Sequence, residues 1–120
     1  MENKIMKYAL LFYANESEGP QTQEEGQALA QTWFALLNEA KAAGVLLDHN
    51  GFKPVADATT VRLRDSKALI TDGPFAETHE QLGGFFMVDC KDLDEAISWA
   101  RKVPHAAYGS VEIRPLWSEY

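Results

Sequence analysis

Between Lys7 and Ala14 apolar residues fall on both parities, with Tyr8, Leu10 and Phe12 pointing one way and Ala9, Leu11 and Tyr13 the other. This spacing predicts a strand that must be covered on both faces. "NESEGPQ" breaks the run, and Thr22 followed by Glu25 makes a capping box for a helix whose apolar stripe is Leu29, Trp33, Leu36, Leu37 and Ala40. Lys41 suits the carboxyl end of that helix, and Gly44 suits the residue just past it. "VLLDHNGF" predicts a second strand ended by an Asn50-Gly51 turn, and "KPVADA" an irregular connection. Thr59–Arg64 and Lys67–Thr71 alternate as a hairpin joined through Asp65 and Ser66, with Arg62 and Arg64 on one face. Phe85–Cys90 is again apolar on both parities. Asp92 with Glu95 caps a second helix, whose stripe runs through Leu93, Ala96, Ile97, Ala100 and Val103 until Pro104 ends it. Trp99 falls at the margin of this stripe, His105 is expected in a solvated loop, and Ser110–Leu116 is the last strand.

The order β-α-β, hairpin, β-α-β predicts an α+β domain of the ferredoxin-like, split βαβ type with an added hairpin, an antiparallel sheet carrying two helices on one face, all within a single domain over residues 1–120. Two helices cover only one side of the sheet, so the large side chains on its other side need a cover that one chain lacks. A second copy supplies it most simply, giving a two-fold homodimer, and the gap between the helix-free faces is where a small organic molecule is expected. Phe12 and Tyr13 of the first strand are expected to line it.

Composition narrows the function classes. The 120 residues are 46% apolar with a formal net charge of −7, and the basic residues are dispersed, so the electrostatic footprint of a nucleic-acid binder is missing. Cys90 is the single cysteine, which rules out an internal disulfide and fits a reducing compartment. The early "YALLFYA" run is too short to span a bilayer and lacks a cleavage signal, so a cytoplasmic protein without a membrane partner is expected.

The stretch "TDGPFAETHEQLGGF" concentrates polar and backbone-special residues between two apolar segments. It can be read without chemistry: Asp72 accepts backbone N–H groups, Gly73-Pro74 sets a sharp corner, Phe75 pins the loop onto the core, and Thr78 with Gln81 caps one helical turn ended by Gly83 and Gly84. It can also be read as the mouth of the pocket, with Asp72 as a base and His79, kept neutral by the helix amino end, as its proton-transfer partner. Phe75 and Glu77 then join the ligand-lining set. Asp48 and His49 are strand neighbours pointing to opposite faces, so they are not expected to form a dyad. Asp72, Glu77 and His79 form no recognisable metal-ligand pattern, and no phosphate-cradling glycine loop follows a strand, so neither metal nor cofactor is expected.

The segments "TDGPFAETHEQLGGFFMVD" and "DLDEAISWARKVPHAAYGSVEIRPL" resemble the YCII-related family, specifically its DGPF branch, from Lys7 to Leu116. The resemblance implies a ferredoxin-like domain that pairs into a dimeric αβ barrel. It implies a small-molecule enzyme or binding protein, and for some members an association with sigma factors; isolated acid and base groups without a cofactor motif fit isomerase, lyase or hydrolase chemistry, the alternative being a non-catalytic sensor or accessory module beside a sigma factor. Smaller members carry a histidine in the first helix and an aspartate before the proline after the second. Here the first helix has no histidine and Val103 precedes Pro104, so that pair does not transfer. Lysine is common in the branch at the position of His79.

Overall fold

The computed structural model describes residues 6–117. Strand β1 (Met6–Ala14) leads to helix α1 (Gln23–Ala42) and strand β2 (Leu46–Gly51). A hairpin of β3 (Thr59–Arg64) and β4 (Lys67–Asp72) follows, then β5 (Gln81–Cys90), α2 (Leu93–Ala100) and β6 (Ser110–Pro115). The main sheet has the order β2-β5-β1-β6, antiparallel throughout, and the hairpin strands pair with one another outside it. This is the expected ferredoxin-like arrangement, with the hairpin inserted between its second and third sheet strands.

The helices start and stop for the reasons read from sequence. The Thr22 and Asp92 side chains accept the backbone N–H groups of Glu25 and Glu95. Helix α1 ends with Gly44 at φ 74°: Val45 N–H donates to the Ala40 carbonyl and Gly44 N–H to Lys41, the two bonds of a Schellman ending. A charge pair between Glu39 of α1 and Lys102, just past the end of α2, lies at the surface.

Pleating then sorts the side chains. Leu10 lies opposite Phe86, and Tyr8 opposite Val88, all buried beneath the helices with Leu36, Ala40, Ala96 and Val103. The other parity, Leu11, Phe85 and Met87, turns to the face that no helix covers and stays half-buried. Trp99 differs from its expected marginal place: it is buried, with the Lys102 ammonium 4.9 Å over its ring, while the stripe residues Leu93 and Ile97 are exposed. The eight-residue helix is too short to bury its whole stripe, and the larger indole takes the core-facing position.

Two local expectations are corrected. Asn50 and Gly51 do not turn the chain; they stay in β2 opposite Phe85 and Gly84, because β5 begins at Gln81 and gives them a partner. For the same reason no helical turn forms at Thr78–Leu82. The Gln81 amide instead donates to the Thr78 carbonyl and accepts from the Glu16 N–H, tying the corner to the end of β1.

The hairpin turns through Asp65 and Ser66 at φ 52° and 64°, the positive pair of a type I′ turn. Its base is held by the corner. Gly73, at φ 96°, donates its N–H to the Ala58 carbonyl and accepts from the Thr60 hydroxyl, while Arg62 donates to the Phe75 carbonyl.

Candidate functional site

A cleft of about 290 Å3 opens at the end of the sheet between α1, β2 and the short turn Pro104–Ala107. Its placement follows from the topology. Antiparallel pairing puts the end of β1 beside the starts of β5 and β6, so the turn preceding Ser110 must lie near Phe12 and Gly83. Pro104, with its fixed φ, opens that turn, and the Tyr108 and Gly109 N–H groups both donate to the His105 carbonyl. Gly109 passes so close to β1 that an added Cβ would stand 3.0 Å from the Ala14 Cα.

The inner wall is aromatic. The His105 ring centroid is 4.7 Å from that of Phe12, 5.2 Å from Tyr108 and 6.0 Å from Trp33, all tilted. Phe12 and Trp33 are 4.9 Å apart. His49 and Asn50 of β2 supply polar side chains, and among the described residues neither a carboxylate nor a lysine or arginine lines the cleft. Gly83 and Gly84 make the space. The Phe12 ring lies over Gly84, where a Cβ would come within 2.6 Å of the Phe12 Cζ, and Gly83 faces the His105 Nε2 with room for ordinary contact.

His105 is the residue that reading the sequence misplaced. It is half-buried rather than solvated, its Nδ1 is buried without a hydrogen-bond partner, and burial lowers its pKa from the ordinary 6.5. A neutral imidazole with a free nitrogen can accept from or donate to one polar group of a guest. The one available signal was Pro104 between the second helix and the last strand, which places residue 105 at the sheet end once the strand order is known.

The other expected site residues are dispersed. Phe12 lies in the wall of this cleft, on the helix-covered side of the sheet with Trp33 and Leu37, and not in the gap between helix-free faces expected for it. Tyr13 donates from its phenol to Glu112, which Arg114 also holds; burial and then Glu112 push the phenol pKa up, while Arg114 and Tyr13 hold the Glu112 carboxyl below its usual range. Asp72 ends β4 opposite Thr59, and His79 sits in the bend before β5, both exposed. Among the described residues neither side chain has a hydrogen-bond partner. Phe75 does not pin the corner to the core and is 75% exposed. Glu77 borders a separate depression of about 360 Å3 with Pro74 and Gln81. Asp48 and His49 do point to opposite faces, Asp48 beside Met87 and His49 beside Phe86. Among the described residues no three His, Cys, Asp or Glu side chains converge as a metal site, and no helix is long and apolar enough to cross a membrane.

An uncharacterized protein of Rhizobium meliloti (strain 1021) is 39% identical over 114 residues, an alignment covering 92% of each chain. The YCII-related domain matches residues 6–119, all six strands and both helices included, and the chain belongs to the YCII-related family.

Proposed function

We propose that this protein is a homodimeric small-molecule-binding protein of the DGPF branch, and that its ligand is a flat, uncharged organic molecule held in the cleft beside His105. The observation that carries this reading is the His105 ring itself, half-buried among Phe12, Trp33 and Tyr108, with its Nε2 beside Gly83 in the cleft wall. A ligand hydroxyl, amide or carbonyl in the cleft can bond the His105 nitrogen beside Gly83, Nε2, whereas Nδ1 is closed off from the cleft. The aromatic walls favour a flat guest, and a lining without fixed charge favours a neutral one.

If the bound molecule is transformed, His105 in its neutral form is the proton acceptor, which suits isomerase, lyase or hydrolase chemistry without a cofactor. Asp72 and His79 lie on the corner, outside the cleft wall, and would act there only if a second chain brought its corner to the cleft. The accessory-module alternative, a role beside a sigma factor, requires no occupant in the cleft at all.

The test is a fluorescence screen, following Trp33 quenching by neutral phenols, aromatic amides and lactones, with native mass spectrometry of freshly purified protein. The expected result is a retained or titratable ligand whose affinity falls about 10-fold in His105→Phe, the loss of one hydrogen bond with ring stacking kept. An empty protein that none of these compounds quenches, or binding unchanged in both His105→Phe and Trp33→Leu, overturns the reading.

A further inference from the structure

The β3–β4 hairpin stands apart from the sheet. A two-stranded hairpin is marginal in water unless something packs on it, and this one is paired to nothing else among the described residues. Its register places Val61 opposite Ile70 and Leu63 opposite Ala68 on one face, where Val61, Leu63 and Ile70 are 60%, 68% and 69% exposed. The opposite face carries Arg62, Arg64 and Lys67. The molecule is correspondingly extended: its radius of gyration is 16.7 Å, against about 14 Å for a compact domain of this length, and its extents are 50 × 43 × 19 Å.

The helix-free sheet face of the same chain presents a second apolar area, with Leu11, Phe85 and Met87 half-buried and Leu47 exposed beside them. We propose that the hairpin is a dimerisation arm that lays its Val61, Leu63 and Ile70 face on the helix-free sheet face of a second copy of this chain. This rests on the homodimer of the preceding reading and assigns the arm and its acceptor, which that reading leaves open.

Area favours a second copy as the occupant. With aliphatic side chains offering roughly 100 Å2 each and an aromatic one roughly 200 Å2, the three arm residues and Phe75 at its base expose about 350 Å2 of apolar surface. In a two-fold pair each chain gives one arm and receives one, so about 700 Å2 per chain is covered, near the ~800 Å2 per partner of a standard stable interface.

The experiment is sedimentation equilibrium of the full chain at micromolar concentration, beside Leu63→Glu/Ile70→Glu, with circular dichroism to verify that the main sheet and helices remain. Both substitutions lie outside the buried core. The expected result is a two-chain mass for the natural protein and a one-chain mass for the folded variant. A variant that stays dimeric overturns the arm while leaving the homodimer standing, and a natural protein that sediments as a single chain overturns both. A second measurement fixes the acceptor: Ile70→Cys on one chain mixed with Met87→Cys on another is expected to give an oxidised heterodimer on denaturing gels, and a dimer that forms without this crosslink overturns the assignment of the sheet face.

Discussion

Two adjacent glycines should respond to the same substitution in opposite ways. At Gly84 an added methyl meets the Phe12 Cζ at 2.6 Å and the Gly51 Cα at 2.9 Å, on a backbone with φ 156°. Neither neighbour is a flexible tip: Phe12 is clamped against Trp33 and His105, and Gly51 is the backbone of β2. Overpacking of this kind costs about 1–3 kcal/mol and a glycine-only backbone region another 1–3, so Gly84→Ala is expected to lose about 2–6 kcal/mol. At Gly83 the nearest atoms, in Phe12 and His105, stand at 3.5 Å and the backbone is ordinary strand. Gly83→Ala should therefore be neutral or gain about 0.5–1 kcal/mol, because alanine has less unfolded freedom to lose. Urea unfolding followed by tryptophan fluorescence separates them. With a slope of about 1.5 kcal/mol per molar, a 3 kcal/mol loss moves the midpoint down by about 2 M for Gly84→Ala, while Gly83→Ala stays within a few tenths. The Gly83 methyl would also stand beside the His105 Nε2, so ligand affinity should fall while stability does not. Equal losses at the two positions, or a Gly84→Ala loss below about 1 kcal/mol, would refute the close approach of β2, β5 and Phe12.

Two further outcomes follow from titrating groups. Burial lowers the His105 pKa beneath the ordinary 6.5, so the unfolded chain binds the extra proton first. The contribution of the neutral ring is thus present above pH 6.5 and lost as pH falls through the interval between 6.5 and the lower folded value. In urea midpoints measured from pH 7.5 downward, His105→Phe should remove the part of the decline that begins near 6.5, and a variant with an unchanged profile would show that the ring is not desolvated. Burial, reinforced by the Glu95 carboxylate, pushes the Cys90 thiol up to about 12, so native protein at pH 8 should resist a thiol-disulfide reagent and react stoichiometrically only once unfolded; prompt labelling of the native protein would contradict the burial.

Much of the fold was legible because its signals are local. The capping pairs Thr22/Glu25 and Asp92/Glu95, the Gly44 ending and the hairpin register all appear where short-range chemistry puts them. What failed was local evidence competing with long-range pairing. Asn50-Gly51 has the composition of a turn, yet β5 supplies partners across it, and the same extension of β5 replaces the helical turn expected at Thr78. Trp99 was misplaced because a stripe drawn at constant spacing ignores how few side chains an eight-residue helix can bury.

The candidate site was misread for a deeper reason. Polar density drew attention to the corner from Asp72 to Phe75, but polar and backbone-special residues accumulate wherever a chain leaves a sheet and must satisfy its amides without one. Gly73 donating to Ala58, Thr60 reaching Gly73 and Arg62 reaching Phe75 answer that need and hold the base of the hairpin. A small-molecule cleft has the reverse composition, apolar walls with one or two polar atoms, and here those atoms come from segments 56 residues apart, His49 and His105, joined only by the strand order. His105 stands in no polar cluster in the sequence, and His49, between Asp48 and Asn50, suggests only a dyad that strand geometry forbids, so the search that suits a catalytic loop does not join the two. In a sheet built this way the informative residue is the one that interrupts an apolar environment: an imidazole among Phe12, Trp33 and Tyr108, with Nε2 beside Gly83 in the cleft wall, offers a guest a hydrogen bond within apolar walls, and that is the strongest physical reason to expect a ligand there rather than at the corner.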